Sequence, residues 1–266
     1  MVPLAARDAD HGPIVPVSAA LPRWRRGYTT DDMASAFAGF SAAGPLRFPD
    51  RATAGLLLGM RLKFLPGEGP SAERTVVTAL PRGGVAVGAG VARCLRVPLE
   101  VLVTRKIGHP EEPELGLGAI AEGGEPVFDD WLLDRVGLCP ADLAGVVACE
   151  RAELARRVEV YRGGRPPPDM AGCHVIVVDD GLATGVTARA ALRAVQAAGP
   201  ARTTLAVPVA SGPAVEAMKA ETGEVVTLVT PRRFRSVGEW YAEFGQLADS
   251  DVLTLLAALR LAVPLC

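Results

Sequence analysis

The chain has 266 residues, of which 49% are hydrophobic and 22% are charged. This length and this balance are typical of a soluble globular protein with one large domain or two small ones, and they exclude a chain that is disordered, collagen-like or coiled-coil throughout. The formal net charge of −2 lacks the basic excess that nucleic-acid and membrane-surface binders usually carry, so we expect neither kind of partner.

Secretion, membrane insertion and a structural zinc site are also disfavoured. No apolar run approaches the roughly 18 residues of a membrane span. Asp8, Asp10 and two prolines stand where a signal peptide would need an apolar stretch. The five cysteines form no C-x-x-C pair, and the three histidines offer few further zinc ligands. We therefore expect a cytoplasmic protein.

The N-terminal stretch 1–47 is rich in Pro, Ala and Gly without a sustained hydrophobic period, which predicts an extension that is partly ordered at best. A helix is predicted to begin after Asp50, an N-cap residue, and we place the main domain at residues 48–266. The apolar face of that helix would comprise Leu56, Leu57, Met60 and Phe64.

Short β-branched runs alternate with helical segments along the rest of the chain. The predicted strands are residues 75–80, 99–104, 173–178, 203–209 and 224–229. The predicted helices are residues 84–95, 141–161, 186–198, 212–221 and 249–261. Strands this continuously apolar are covered on both faces, which predicts an α/β fold with a mostly parallel, twisted sheet of about five strands flanked by helices. Ligands of such sheets bind at the carboxyl ends of the strands, here in the loops after residues 80, 104 and 178.

Two adjacent carboxylates and a turn rich in Gly and Thr follow the strand that ends at residue 178, where residues 175–187 read VIVVDDGLATGVT. Asp179 and Asp180 can accept hydrogen bonds from a cis-diol, and such charge-assisted bonds contribute about 1.5–3 kcal/mol each. The turn can bind a phosphate through free backbone N–H groups at a helix start, close approach at its glycines and its threonine hydroxyls. Its residues are Gly181, Leu182, Ala183, Thr184, Gly185, Val186 and Thr187. The pattern predicts a site for a ribose 5-phosphate.

Other nucleotide sites share parts of this pattern. Four apolar residues followed by two aspartates also resemble the Walker B strand of an ATPase, but no G-x-x-x-x-G-K-[ST] loop precedes them. A Rossmann fold would need G-x-G-x-x-G after the first strand, whereas residues 81–86 read PRGGVA. A purely structural strand–turn–helix stays open as an alternative.

The stretch 175–187 resembles, position by position, the phosphoribosyl pyrophosphate (PRPP) signature of type I phosphoribosyltransferases. Further segments, in the same order, are similar to a bacterial and archaeal branch of phosphoribosyltransferase-domain proteins: FPDRATAGLLLGMRL, LPRGGVAVGAGVA, RKIGHPEEPELGLGAIAEGG, YRGGRPPPDMAG, VDDGLATGVTARAALRAV and FRSVGEWYAEFGQLADSDV. The resemblance covers residues 48–258. It implies a type I phosphoribosyltransferase core with a small hood, which we place at residues 107–165 together with the C-terminal segment.

The resemblance gives roles to two cationic loops. Arg82, Gly83 and Gly84 lie between a strand and a helix, where paired glycines let the backbone wrap an anion, and they look like the loop that holds the pyrophosphate of PRPP. A tight turn without ligand is the alternative for the glycines. Arg105 and Lys106, at the end of the next predicted strand, suit the same pyrophosphate.

The stretch 107–124 resembles the mobile loop that closes over the site in this superfamily and excludes water. Within it, His109 and Glu114 are candidates for contact with the acceptor substrate, and Glu114 and Glu122 for contact with metal or substrate; solvated loop side chains are the alternative for all three. Phe234 is the candidate to stack on a planar acceptor.

Trp240 and Phe244 belong to the same aromatic segment, 231–244. For these two side chains we expect a packing role, between the last helix and the sheet.

The resemblance implies transfer of a 5-phosphoribosyl group from PRPP to a small-molecule acceptor with release of pyrophosphate. The catalytic set would be Asp179, Asp180, Arg105 and Lys106, with Mg²⁺ held mainly through PRPP and, from the protein, by the two aspartates. The acceptor stays open: a nucleobase, or another amine or hydroxyl such as an aminocyclitol. The alternatives are a PRPP- or nucleotide-sensing regulator without turnover, and a protein of the same fold that hydrolyses PRPP or works on a nucleoside phosphate. Relatives in this superfamily commonly form homodimers, which we also expect here.

Overall fold

A computed structural model of the protein describes residues 47–65 and 74–262, so the predicted N-terminal extension lies outside the described residues except for Arg47. The helices are α1 (Arg51–Lys63), α2 (Gly83–Leu95), α3 (Asp130–Val136), α4 (Ala144–Arg162), α5 (Val186–Ala197), α6 (Gly212–Glu221) and α7 (Asp249–Ala262). The strands are β1 (Thr75–Ala79), β2 (Leu99–Val101), β3 (Thr104–Gly108), β4 (Gly116–Ala121), β5 (Val127–Phe128), β6 (His174–Val178), β7 (Arg202–Val209) and β8 (Glu224–Val229). Within these ranges, no helix has the length and hydropathy needed to cross a membrane.

Five parallel strands form the central sheet in the order β2-β1-β6-β7-β8. Alternate residues of β6 enter two separate core clusters, Val175 and Val177 on one face and Ile176 and Val178 on the other, and all four are fully buried. Residues of α1, α2 and α7 join the core cluster of Ile176 and Val178, whereas residues of α5 and α6 join the cluster of Val175 and Val177 on the opposite face. Helices therefore cover both faces, and the predicted α/β class with five parallel strands is confirmed.

Helix α1 begins where predicted, because the side chain of Asp50 accepts a hydrogen bond from a backbone N–H of the first turn (2.7 Å). Its buried face differs from the prediction: Leu56 and Phe64 are 40% and 38% exposed. The reason is a close backbone approach between α1 and α2, since a Cβ on Gly55 would lie 2.2 Å from the carbonyl oxygen of Val87. The buried residues of α1 are Ala54, Gly55, Leu57, Leu58, Gly59 and Leu62.

A second, antiparallel sheet, β3-β4-β5, which we call the small sheet, occupies much of the segment expected to be a lid. The strand predicted at 99–104 ends at Val101, and a new strand begins at Thr104. Strand β4 escaped prediction because its sequence, GLGAIA, contains two glycines, which weaken strand propensity. Gly118 is required there because a Cβ would lie 2.6 Å from the carbonyl oxygen of Val127. Helix α4 packs on β3 and β4.

Candidate functional site

The two aspartates that follow β6 are partly buried at the carboxyl edge of the central sheet. The backbone N–H of Asp180 donates a hydrogen bond to Asp179 Oδ1 (2.8 Å). Burial raises the pKa of both carboxyls; the charge of Asp180 raises the pKa of Asp179 further, whereas a hydrogen bond from Arg51 lowers that of Asp180. Ionisation of both carboxyls is therefore unfavourable unless a cation lies close to the pair.

Arg51, the first residue of α1, is that cation. Its Nε lies 2.8 Å from Asp180 Oδ2, and its Nη1 donates a hydrogen bond to the backbone oxygen of Gly245 (2.9 Å). The guanidinium carbon lies 3.8 Å from the ring centroid of Phe244, a cation–π distance. The Tyr241 hydroxyl donates to the backbone oxygen of Asp180 (2.6 Å). Both the carboxylate and the backbone of Asp180 are thus held by neighbouring groups.

Arg51 and Tyr241 are absent from the site residues that the sequence pattern predicts, although both lie inside segments that carry the resemblance. One local signal points to Arg51. It follows the N-cap Asp50 directly, and a cation in the first turn of a helix opposes the helix dipole. Such a residue is expected to have an acidic partner.

The predicted PRGG loop lies directly against the aspartates. A Cβ on Gly83 would be 1.9 Å from Asp180 Oδ2, and a Cβ on Gly84 would be 3.0 Å from Asp179 Oδ1. Only glycine allows this approach. The loop is continuous with the N-terminus of α2, for which Arg82 is the N-cap, and the Pro81–Arg82 peptide bond is cis. The structure therefore brings two of the predicted loops together.

The predicted phosphate turn, residues 181–187, is anchored to the end of β7. The N–H of Leu182 donates to the backbone oxygen of Val209 (2.9 Å), and the Ser211 hydroxyl donates to the backbone oxygen of Ala183 (2.7 Å). Gly185 has a φ of +85° at the N-cap of α5, a conformation that favours glycine. No described residue accepts a hydrogen bond from the backbone N–H groups of residues 183–187, so these donors remain available at a helix N-terminus.

Comparison with known proteins agrees with this geometry. The model of the phosphoribosyl transferase domain matches residues 68–232, which is more than half of the chain. The chain belongs to the phosphoribosyl transferase family.

Three relatives illustrate the membership. The chain is 41% identical over 209 residues to proteins of Mycobacterium tuberculosis strains CDC 1551 / Oshkosh and ATCC 25618 / H37Rv, whose names assign them provisionally to the phosphoribosyl transferases. The match covers 79% of this chain and 46% of each relative, so the chain spans about half the length of the curated relatives it matches. The crystal structure of TT1426 from Thermus thermophilus is similar, with a TM-score of 0.67, 43% identity, and coverage of 80% of this chain and 99% of that chain.

Within this family fold, Arg105 and Lys106 lie on β3 of the small sheet and not at the end of β2. Arg105 Nε forms an ion pair with Glu150 Oε2 of α4 (2.6 Å), and the Lys106 ammonium donates to the backbone oxygen of Glu114. Among the described residues, neither cation forms a hydrogen bond or ion pair with the two aspartates. Their part in binding pyrophosphate stays a prediction.

The tip of the β3–β4 hairpin is held by its own hydrogen bonds. His109 Nδ1 accepts hydrogen bonds from the N–H groups of Glu111 (3.1 Å) and Glu112 (3.2 Å). This His109 nitrogen therefore has local donors. The side chain of Glu114 is exposed at the same tip. Contact of either residue with an acceptor stays a prediction.

Glu122 has a partner that the sequence did not indicate. Its Oε2 accepts a hydrogen bond from Nη2 of the buried Arg162 (3.0 Å), which also donates to the backbone oxygen of Val101 (3.1 Å). Glu122 is therefore the counter-ion of a buried arginine and not a solvated loop acid. Its contact with metal or substrate stays a prediction.

The aromatic segment packs differently from the prediction. Trp240, Phe244 and Phe234 are partly buried in a cluster with Phe48 and Tyr241 that also contains residues of α1. The expectation that Trp240 and Phe244 pack the last helix onto the sheet is wrong, because the buried side chains of α7 belong to another core cluster. The cause is the stacking of Phe244 on Tyr241 (5.0 Å between centroids), which draws the segment to α1 and the site. The role of Phe234 in acceptor binding stays a prediction.

The aspartate pair has the right donor atoms for Mg²⁺ but too few of them. Among residues 47–65 and 74–262, no three His, Cys, Asp or Glu side chains are arranged to hold a metal ion. Asp179 Oδ2 and Asp180 Oδ1 receive no hydrogen bond from another described residue, which leaves two hard oxygen donors. Mg²⁺ takes about six oxygen ligands and often keeps several waters, so these residues fit a metal held mainly by substrate and water.

Proposed function

We propose that this protein is a PRPP-dependent phosphoribosyltransferase, which moves a 5-phosphoribosyl group to a nucleophilic acceptor and releases pyrophosphate. The supporting observation is the contact between the PRGG loop and the loop after β6: Gly83 packs against Asp180, and Gly84 packs against Asp179. The N–H groups of residues 183–187, which donate to no described residue, follow directly in the chain. A ribose with pyrophosphate on C1 and phosphate on C5 needs a diol-binding group between two anion-binding helix starts, and this arrangement suits it.

The groups of the site have different tasks in the proposed reaction. The bond between the anomeric carbon and the pyrophosphate oxygen breaks, its electron pair leaves with pyrophosphate, and the acceptor nucleophile forms the new bond and releases its proton. Asp179 Oδ2 and Asp180 Oδ1 accept hydrogen bonds from the 2′- and 3′-hydroxyls, and their charge stabilises the sugar as it becomes cationic. The N–H groups of residues 183–187 bind the 5-phosphate. The α2 N-terminus with Arg82 receives the departing pyrophosphate.

Mg²⁺ would supply neutralising charge to the pyrophosphate, with Asp179 and Asp180 as the donors from the protein. The acceptor class remains the one predicted from the sequence: a nucleobase, or another amine or hydroxyl such as an aminocyclitol. Phe234 is the side chain we propose for stacking on it, because it lies beyond β8 in the aromatic cluster that includes Tyr241.

Calorimetric titration with PRPP and Mg²⁺, together with pyrophosphate release over a panel of acceptors, tests the proposal. We expect the double variant Asp179→Asn, Asp180→Asn to bind PRPP about 100-fold more weakly, because two charge-assisted hydrogen bonds are lost. The matched control is Asp134→Asn, which removes one exposed carboxylate from α3. Its affinity should equal that of the wild type.

Acceptor-dependent release of pyrophosphate would support transfer. Binding without release for any acceptor would overturn turnover in favour of a PRPP sensor, and release without acceptor would favour hydrolysis. An absence of PRPP binding in the wild type, or equal affinity in the double variant, would overturn the proposed site.

A further inference from the structure

The side chain of Arg51 is fixed on three sides. It donates to Asp180 Oδ2 and to the backbone oxygen of Gly245, and it lies over the ring of Phe244. Only 12% of it is exposed. Ordering a long, rotamer-rich side chain in this way costs conformational entropy, which a single ion pair at a protein surface barely offsets. The contacts therefore indicate that the site requires the positive charge of Arg51 at this position beside Asp180.

Asp180 has two carboxylate oxygens, and Arg51 engages one of them. Oδ2 faces Arg51 Nε at 2.8 Å, while no other described residue donates a hydrogen bond to Oδ1. Asp179 likewise has one occupied oxygen, since its Oδ1 accepts a hydrogen bond from the N–H of Asp180. One oxygen of each aspartate is thus left, which matches the two hydroxyls of a cis-diol.

Charge gives the second reason. Two adjacent carboxylates repel an anionic ligand, and burial penalises both charges. A guanidinium at 2.8 Å cancels one of the two negative charges without occupying the face of the carboxylate that carries Oδ1. The site can then hold a phosphorylated sugar while keeping an ionised acceptor for its hydroxyl.

We propose that Arg51 is the positioning residue of the site: it fixes Asp180 Oδ2 and neutralises one charge of the aspartate pair, so that Oδ1 meets a ligand hydroxyl. Phe244 and Gly245 hold Arg51 for this purpose. The inference rests on the proposed function, because it assigns the diol of a phosphoribosyl ligand to these oxygens. Arg51 itself does not touch the ligand.

The experiment measures the affinity for PRPP with Mg²⁺ near neutral pH, in the wild-type background and in an Asp180→Asn background. The variants are Arg51→Met, Arg51→Lys and Phe244→Leu, and the control is Arg61→Met on the same helix. Circular dichroism and the thermal midpoint report folding separately. We expect Arg51→Met to bind about 10- to 100-fold more weakly near neutral pH.

A double-mutant cycle separates positioning from a merely structural role. If Arg51 acts through the carboxylate of Asp180, its loss should cost little once that carboxylate is gone, so Arg51→Met should weaken binding by at most about 3-fold in the Asp180→Asn background. Arg51→Lys should recover only part of the affinity, because an ammonium lacks the planar fork that reaches Asp180 and Gly245 together. Phe244→Leu should weaken binding about 3- to 10-fold in the wild-type background and have little effect in the Asp180→Asn background.

Each outcome decides one claim. A wild type that does not bind PRPP overturns the proposed function, and the inference falls with it. A wild type that binds, with Arg51→Met identical to it in affinity, overturns the inference alone. An equal loss of affinity in both backgrounds also overturns it, in favour of a structural role. If Arg51→Met does not fold, Phe244→Leu decides: a loss of affinity confined to the background that keeps the Asp180 carboxylate supports the inference, and an equal loss in both backgrounds overturns it.

Discussion

Replacing Gly83 by alanine would test how closely the PRGG loop packs against the carboxylate of Asp180. The new Cβ would lie 1.9 Å from Asp180 Oδ2 and 3.0 Å from Arg51 Nε. The first distance is far below van der Waals contact, and the oxygen concerned is the one that Arg51 holds at 2.8 Å. We therefore expect the carboxylate to rotate away, because it is the end of a side chain, and the ion pair to break.

The loss of stability follows from two costs and one small gain. Forcing a methyl group into a packed site costs about 1–3 kcal/mol. Losing a hydrogen bond between charged groups that are 12% and 17% exposed costs about 1.5–3 kcal/mol. Alanine also restricts the unfolded chain, which returns about 0.4–1 kcal/mol. The free energy of unfolding should fall by about 2–5 kcal/mol, the balance of these terms.

Urea denaturation measures this change, with Gly145→Ala as the control. Gly145 lies in α4 and nothing lies within 4 Å of its added Cβ, so that variant should gain up to about 1 kcal/mol of stability. A double-mutant cycle with Asp180→Ala isolates the contact: the cost of Gly83→Ala should fall by more than about half once the carboxylate is gone. An equal cost in both backgrounds would refute this account of the loop.

Two further predictions concern Tyr241 and Glu100. Tyr241→Phe removes a 2.6 Å hydrogen bond to the backbone of Asp180 and should lower the free energy of unfolding by about 1 kcal/mol in urea denaturation; an unchanged value would contradict the proposed hold on that backbone. Glu100 is 5% exposed, and burial raises its pKa more than Arg165 and Arg162 lower it. Its neutral form therefore stabilises the fold fully at low pH, and this contribution is lost as the pH rises through the folded-state pKa. The stability of Glu100→Gln relative to the wild type should increase as the pH is raised from about 5 to about 8, as measured by urea titrations. If the difference in unfolding free energy stays constant with pH, the pKa of Glu100 is not raised.

The central sheet could be predicted because its signal is local. Residues 175–178 are all fully buried, so a strand covered on both faces appears in the sequence as an unbroken apolar run. The small sheet sends no comparable signal. Its β4 strand contains Gly116 and Gly118, and the second is explained only by the backbone of Val127, which no period in the sequence reveals.

The candidate site divides in the same way. The aspartates and the turn at 181–187 form one contiguous motif, whereas Arg51 reaches Asp180 across 129 positions of the sequence. The contact depends on where α1 packs, and that packing uses small residues such as Gly55 in place of the large apolar side chains that define a face in the sequence. The sequence predicts Arg105 and Lys106 at a strand end beside the site. Because β2 ends at Val101 and a new strand, β3, begins at Thr104, these two residues lie in the small sheet instead.

The contact between Arg51 and Asp180 also bears on how this protein can be cut or recombined. The segment that matches the family runs from residue 68 to residue 232, whereas Arg51 precedes it and Tyr241 and Phe244 follow it. A fragment trimmed to those limits, or a chimera that exchanges the flanking segments, would keep the PRGG loop and the motif at 175–187. It would nevertheless leave Asp180 without its counter-ion and without the hydroxyl that holds its backbone.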